Sequence, residues 1–234
     1  MENKDIINKG LVGTGMFASD ATSENILKND IDELAELELI GSNELQAAVA
    51  GAIPGTVLHK AGMRGHANHG WLDSKQTFSF GEYYNPDRMH FGVLRVLNDD
   101  RVDPGMGFGR HPHDNMEIIS IPLEGDLEHK DSMGNVAVIK HGDIQAMSAG
   151  TGIFHSEYNK NNDRPAKFLQ IWVFPRTKNV APRYGQVSLN TSDRHNNLQQ
   201  VISPDKEGEG VWINQDAWFQ LGEFDKGFST TYQL

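Results

Sequence analysis

The stretch GFGRHPHDNMEIISIPLEGDLEH, residues 107–129, places two histidines one residue apart at the start of a β-like run. Residues i and i+2 of a strand point to the same side, so His111 and His113 would aim two imidazoles at one point. Imidazole is the commonest metal ligand in proteins, and two convergent imidazoles supply half of a site. Taken alone, the motif favours two surface histidines at a loop edge, and a metal site needs further ligands elsewhere in the chain.

A second doublet supplies candidates for those further ligands. His155 and Glu157, in HGDIQAMSAGTGIFHSEYN, are again one residue apart and share one face of a predicted strand. Three imidazoles and a carboxylate are a suitable ligand set for a divalent transition metal. Two neighbouring strands that face one cavity would bring both doublets together, and a small barrel provides that arrangement.

The composition excludes several classes of protein. The chain of 234 residues has a formal net charge of −11 and no cysteine. The excess of acids argues against general affinity for nucleic acid, because no basic stripe could neutralise phosphates. The lack of cysteine excludes disulfides, a thiolate nucleophile and a cysteine-based zinc site. No apolar run is long enough to span a membrane and the first residues do not form a signal sequence, so we expect a cytoplasmic protein.

Residues 1–55 differ in character from the rest of the chain. They contain ten acidic residues, three lysines and a single aromatic residue, Phe17. The segments NDIDELAELELIG, residues 29–41, and SNELQAAVAG, residues 42–51, are typical of short helices that end at glycine. Residues before about Ala21 lack periodicity and are typical of disorder. We therefore predict a helical or disordered acidic extension outside the main domain, with no assigned function.

The remainder of the chain is predicted to be all-β. Residues 56–189 contain short runs rich in β-branched and aromatic residues, separated by turn signals, which favours a sandwich or barrel. Residues 190–234 resemble the opening of another β unit but are too few for an independent all-β domain. This tail either packs onto the first unit or forms an incomplete module.

The spacing of the histidines resembles the cupin pattern. The first cupin motif has a glycine, five residues, H-x-H, a glutamate and a closing glycine, and the second ends in glycine, histidine and asparagine. The matching residues are Gly105, His111, His113, Glu117, Gly125, Gly152, His155 and Asn159. The intervals Glu117–Gly125 and Gly142–Gly152 are longer than the general pattern, and one subfamily shows those same departures.

That subfamily is the pirins, and the chain looks most like the bacterial quercetinase-type pirins. The segments that carry the resemblance are RGHANHGWLDSKQTFSF, YYNPDRMHFGVLRVLNDDRV, GFGRHPHDNMEIISIPLEGDLEHKDSMGN, GDIQAMSAGTGIFHSEYN and LQIWVFP. It is close over residues 57–184 and weaker to Leu234. It implies a cupin double-stranded β-helix (a jelly-roll barrel) over residues 56–189. Residues 190–234 would then be the start of a second, truncated cupin.

The resemblance also implies the ligands of a metal in the first cupin: His111, His113, His155 and Glu157. The metal is expected to be Fe(II), with Mn, Co, Ni, Zn or Cu as alternatives. In the general cupin pattern Glu117 would be the carboxylate ligand, but on an ideal strand it lies about 13 Å beyond His113. We therefore predict Glu157 as ligand, and also as catalytic base.

The implied activity is that of an oxidoreductase, a dioxygenase that uses O₂ and a small aromatic substrate, a flavonol such as quercetin. The alternatives are a redox-sensing regulator of the transcription-cofactor type, with iron as its switch, or a non-catalytic truncated remnant. Neither direct binding of nucleic acid nor membrane association is expected. Exposed apolar strands of the tail, with Trp212, Trp218, Phe224 and Phe228, are predicted to bind a second copy or a protein partner.

The other histidines and aromatic residues are given structural roles. His66 and His69 are predicted to form structural hydrogen bonds, and His129 to hold a hairpin together with Asp131. The large side chains Phe108, Trp172 and Phe174 are expected in the core rather than against a ligand.

Overall fold

The computed structural model describes residues 24–27 and 59–233, and these residues are almost entirely β. The described strands are β1 (Glu24–Leu27), β2 (Gly65–Asn68), β3 (Leu72–Gln76), β4 (Leu94–Val102), β5 (Gly107–His113), β6 (Glu117–Glu124), β7 (Leu127–Asp131), β8 (Val136–Ile139), β9 (Asp143–Ser148), β10 (Ile153–Asn159), β11 (Ala166–Val173), β12 (Arg183–Ser188), β13 (Gln199–Ser203), β14 (Val211–Trp212), β15 (Phe219–Leu221) and β16 (Thr230–Gln233). Short 3₁₀ turns occur at Ala61–Met63 and Thr191–Arg194. None of the helices in this part of the chain is long and apolar enough to cross a membrane.

The chain forms two compact units. The larger unit contains residues 59–190 and 201–218, and the smaller contains residues 24–27, 191–200 and 219–233 of the described part of the chain. The larger unit holds two antiparallel sheets, one of seven strands in the order β12-β9-β6-β11-β4-β3-β2 and one of four in the order β5-β10-β7-β8. This architecture confirms the predicted all-β cupin fold.

A shared apolar core joins these two sheets. Leu127 and Ile139 of the four-stranded sheet pack in one cluster with Leu72, Val102 and Phe168 of the seven-stranded sheet. The burial pattern of β4 alternates strictly over its first seven residues, because one face of the sheet meets this core. The residues of β6 and β9 are buried on both faces over most of their length. The sheets therefore lie face to face and enclose an interior.

Part of the tail belongs to this larger unit. The backbone N–H of Asn214 donates a hydrogen bond to the buried carboxylate of Glu117, at 3.2 Å. The guanidinium of Arg183 donates to the carbonyl of Trp212 and stacks on the indole ring of that residue. Residues 201–218 thus pack with residues 59–190, which was one of the two arrangements expected for the tail. Trp218 remains 40% exposed, and association through this surface stays a prediction.

The acidic extension is described only at Glu24–Leu27. These four residues pair antiparallel with Thr230–Gln233, so here the chain forms a strand rather than the expected helix or disordered segment. Backbone pairing with β16 supplies hydrogen bonds that a local sequence pattern does not reveal, and such tertiary context routinely overrides propensity. The predicted helices over residues 29–41 and 42–51 lie outside the described residues.

Candidate metal centre

Strands β5 and β10 bring the three predicted histidines together. Their antiparallel register places His155 directly opposite His111 and Ile153 opposite His113. The ring centroids of His111 lie 4.8 Å from His113 and 4.4 Å from His155, and those of His113 and His155 are 4.9 Å apart. One nitrogen from each ring lies within 4.8 Å of the other two. The two motifs therefore form one three-imidazole cluster.

The free nitrogens of this cluster fit a cation. His111 Nδ1 donates to the carbonyl of Gly109 at 2.7 Å, which leaves its Nε2 with a lone pair. Both ring nitrogens of His155 and the Nε2 of His113 are buried and have no hydrogen-bond partner among the described residues. Buried polar atoms are normally paired, so such atoms indicate a site that a bound group completes.

Burial keeps the imidazoles of His113 and His155 neutral. Desolvation, reinforced by the neighbouring histidines, lowers the pKa of His113 to about 4 and that of His155 to about 3. At neutral pH both rings are uncharged and carry the lone pair that metal binding requires. The chemistry of this ligand set thus matches a divalent transition metal.

Glu157 lies beside the cluster but is already hydrogen-bonded. A bulge separates it from His155 in the pairing of β10 with β5. Its Oε1 accepts a hydrogen bond from the Ser120 hydroxyl at 3.0 Å, and its Oε2 accepts one from the Gln170 amide at 2.9 Å. It lines the same cavity as His111 and His113 but is not one of the residues whose ligand atoms cluster within 4.8 Å. Its role as a metal ligand stays a prediction.

Sequence reasoning missed Ser120 and Gln170, which orient this carboxylate. Both side chains are buried, and the two residues are directly paired between β6 and β11. Each is the one polar residue of an apolar run, IISIPL at residues 118–123 or FLQIWV at residues 168–173. A lone buried polar residue in an apolar strand was the available signal, because such a side chain needs a partner.

The alternative carboxylate, Glu117, has different surroundings. It accepts hydrogen bonds from the Ser148 hydroxyl at 2.7 Å and from the backbone N–H of Asn214, and it does not line the cavity. Burial raises its pKa, although these bonds and the nearby Arg183 oppose that shift. Asn115 adopts a left-handed backbone conformation with φ of 45° between β5 and β6. The alternation of side chains along a single strand therefore cannot be extended from His111 and His113 to Glu117.

The ring of His129 packs against the histidine cluster. Its Nε2 lies 3.1 Å from Asp131 Oδ2, both side chains are fully buried, and its ring centroid is 5.4 Å from that of His155. Asp131 also accepts the backbone N–H groups of Met133 and Asn135, which fixes the β7–β8 turn. The structural role predicted for His129 and Asp131 agrees with these contacts. His66 likewise hydrogen-bonds to Asp73 at 2.9 Å.

A cavity of about 690 Å³ opens beside the histidine cluster. Its aromatic wall contains two edge-to-face pairs, Trp71 with Phe108 and Phe80 with Trp172. The indole of Trp172 also meets the ring of His113, with centroids 4.8 Å apart. Phe108 and Trp172 pack against the core, as expected, and each also lines the cavity. Phe174 is 38% exposed and is not a core residue.

Known proteins share this fold and sequence. The family model Pirin matches residues 57–173, and the model for the quercetinase C-terminal cupin domain matches residues 200–234. A protein of Escherichia coli named quercetin 2,3-dioxygenase is 50% identical over 159 residues, 68% of each chain. A protein of Pseudomonas aeruginosa named putative quercetin 2,3-dioxygenase is 42% identical over 171 residues, 73% of each chain.

A solved structure supports the same assignment. The bacterial pirin YhhW of Escherichia coli, crystallised in complex with nickel(II), superposes with a TM-score of 0.63 at 48% identity. The match covers 67% of this chain and 66% of that one, so the chain spans about two thirds of the length of these relatives. The paired H-x-H and H-x-E motifs, the three-histidine cluster inside a cupin fold and the match to the family model lead to one conclusion: this chain belongs to the pirin family.

Proposed function

We propose that this protein is an Fe(II)-dependent dioxygenase of flavonols such as quercetin. The observation that carries the proposal is the cluster of three imidazoles, one buried and two half-buried, whose free nitrogens lie beside a cavity with aromatic walls. The names of the relatives at 50% and 42% identity support the same substrate class.

The metal would be held by His111, His113 and His155, with Glu157 as the fourth ligand. Two observations support Glu157 over Glu117. Glu157 lines the cavity with His111 and His113, whereas Glu117 is held outside it by Ser148 and Asn214. A redox-active metal in this set supplies the electron transfer that lets a deprotonated flavonol react with O₂.

The side chains of this chain would prepare the substrate. The carboxylate of Glu157 takes the proton from the enolic hydroxyl of the flavonol, and Ser120 and Gln170 hold that carboxylate in place. Trp172 and Phe80 give the planar rings of the substrate an apolar surface, and this surface excludes water from the reacting atoms.

The proposal is tested by measuring iron content and quercetin-dependent O₂ uptake of the same samples. The iron-loaded parent should consume O₂ with quercetin, and His113→Ala should lose iron and uptake together. His141→Ala is the matched control, because His141 is exposed and lies outside the cluster. A fully iron-loaded parent that consumes no O₂ with any flavonol would reject the dioxygenase and favour the redox-sensing regulator.

A further inference from the structure

A row of polar side chains crosses the interior of the seven-stranded sheet. The strand register places its members directly opposite one another on successive strands, and directly opposed residues share a face of the sheet. The row is Gln76, Asn98, Gln170, Ser120 and Gln145, on β3, β4, β11, β6 and β9. All five side chains are buried. Burying such a row inside a small domain lowers the free energy of unfolding unless its polar atoms find hydrogen-bond partners.

One end of this row lines the cavity and lacks partners there. Gln76, Asn98 and Gln170 belong to the cavity wall, together with Ser74 and Asp100 on the neighbouring rung. Gln76 Oε1, Asn98 Oδ1 and Asp100 Oδ1 are buried oxygens without a hydrogen-bond partner in the described part of the chain. Their exposed fractions are 4%, 2% and 3%. Three oxygens of this kind on one wall indicate a ligand that brings hydrogen-bond donors to it.

The position of the polar cavity wall indicates the length and shape of the ligand that would bind there. Gln170 is hydrogen-bonded to Glu157, so the cavity-lining part of the row, from Gln170 to Gln76, begins next to the proposed metal centre. Gln76 lies two strands further along the same sheet, about 10 Å away at the usual spacing between strands. A ligand that reaches both ends must be extended, and the aromatic rings of Phe80 and Trp172 favour one that is flat.

We propose that Gln76, Asn98 and Asp100 form a hydroxyl-binding subsite for the hydroxylated ring of a polyphenol, remote from the oxygen that meets the metal. The subsite rests on the proposed function and narrows it, since it selects flavonols that carry hydroxyl groups at their far end. The Ser74 hydroxyl, which hydrogen-bonds to Asp100, orients this carboxyl group.

The test compares binding of two flavonols that differ in these hydroxyl groups. Quercetin carries them, and 3-hydroxyflavone keeps only the enolic hydroxyl. Affinities are measured by calorimetry on the metal-loaded full chain without O₂, so that turnover does not contribute. The variants are Gln76→Met and Asn98→Leu, and Gln145→Met is the matched control. Gln145 belongs to the same row and is equally buried, but it does not line the cavity.

The parent should bind quercetin at least about tenfold more tightly than 3-hydroxyflavone, the scale of one or more satisfied hydrogen bonds to buried groups. Gln76→Met and Asn98→Leu should each reduce that ratio several-fold and leave the affinity for 3-hydroxyflavone within about twofold. Gln145→Met should keep the parent ratio. Melting temperature and metal content establish that each variant is folded and loaded, and the two variants serve as substitutes for each other if one fails to fold.

Equal affinity of the parent for both flavonols would overturn the subsite, as would an unchanged ratio in both variants. Failure of the parent to bind either flavonol would overturn the substrate class as well. A parent that shows the expected ratio but consumes no O₂ would leave the subsite standing and reject the oxygenase. The two proposals therefore fail by different results.

Discussion

Glu157 differs from the three histidines because both of its oxygens already accept hydrogen bonds, from Ser120 and Gln170. The histidines instead present nitrogens without partners in the described chain. At the scale of the single residue, metal binding and proton transfer therefore fall to different side chains. The imidazoles are expected to supply most of the metal-binding energy, and the oriented carboxylate is expected to move a proton.

Glu157→Gln should therefore keep much of its metal and lose turnover. The substitution preserves shape, and three imidazoles remain to bind the ion. The loss of a general base typically lowers turnover by about 10²-fold or more. Iron content and quercetin-dependent O₂ uptake are measured beside the parent. A metal-loaded Glu157→Gln that turns over at the parent rate would show that Glu157 is not the base.

The raised pKa of Asp100 predicts that the stability of the metal-free protein depends on pH. Burial, opposed by the Ser74 hydrogen bond and reinforced by the charges of Glu157 and Asp99, raises its pKa from 3.8 to about 7. Between these values the unfolded chain has released a proton that the folded chain retains, so stability falls as the pH rises through this window. The contribution is fully present below about pH 4 and is lost above about pH 7.

Asp100→Asn removes that titration. Relative to the parent, the variant should gain stability between pH 4 and pH 8, by up to about 4 kcal/mol for a shift of about three pKa units. Urea unfolding of both metal-free proteins across this range measures the difference. A difference that stays constant with pH would contradict the assignment.

At the scale of the strand, the close approach of β5 to β10 positions the metal centre. Gly107 pairs with Tyr158, and a Cβ atom at this glycine would overlap the carbonyl oxygen of Glu157 and the Cα of Tyr158. Gly109, two residues further along β5, has room for a Cβ, with its nearest neighbour the Tyr158 hydroxyl at 3.7 Å.

Gly107→Ala should push the two strands apart and separate His111 from His155. We expect a loss of metal binding and a lower melting temperature, by several degrees for a destabilisation of about 1–3 kcal/mol. Gly109→Ala is the matched control and should bind metal like the parent. Normal metal binding by Gly107→Ala would contradict the role given to this contact.

The sequence predicted those parts of the fold and site that depend on short periodicities and on the family motifs. The two doublets indicated that His111, His113 and His155 could converge, because same-face residues follow from strand geometry alone. The surroundings of Glu157 could not be predicted, since Ser120 and Gln170 reach it through long-range strand pairing. The pairing of Glu24–Leu27 with β16 was missed for the same reason.

At the scale of the whole molecule, the preformed cluster links metal binding to folding. A metal that binds the folded chain and not the unfolded one stabilises the fold by about 2.7 kcal/mol at a hundredfold excess over Kd. The melting temperature of the parent should therefore rise as Fe(II) is added without O₂, and that of His113→Ala should not. An equal rise in both proteins would mean that the metal binds elsewhere.

The central claim is that metal at the three-histidine cluster turns a flavonol over with O₂, and isotope labelling tests it most directly. Iron-loaded parent protein is incubated with quercetin under ¹⁸O₂, and the products are analysed by mass spectrometry with His113→Ala as the control. A dioxygenase places both labelled atoms in the products, so the account predicts full double labelling with the parent and no product with His113→Ala. Product that carries one labelled atom or none, or no product from fully loaded parent protein, would contradict it.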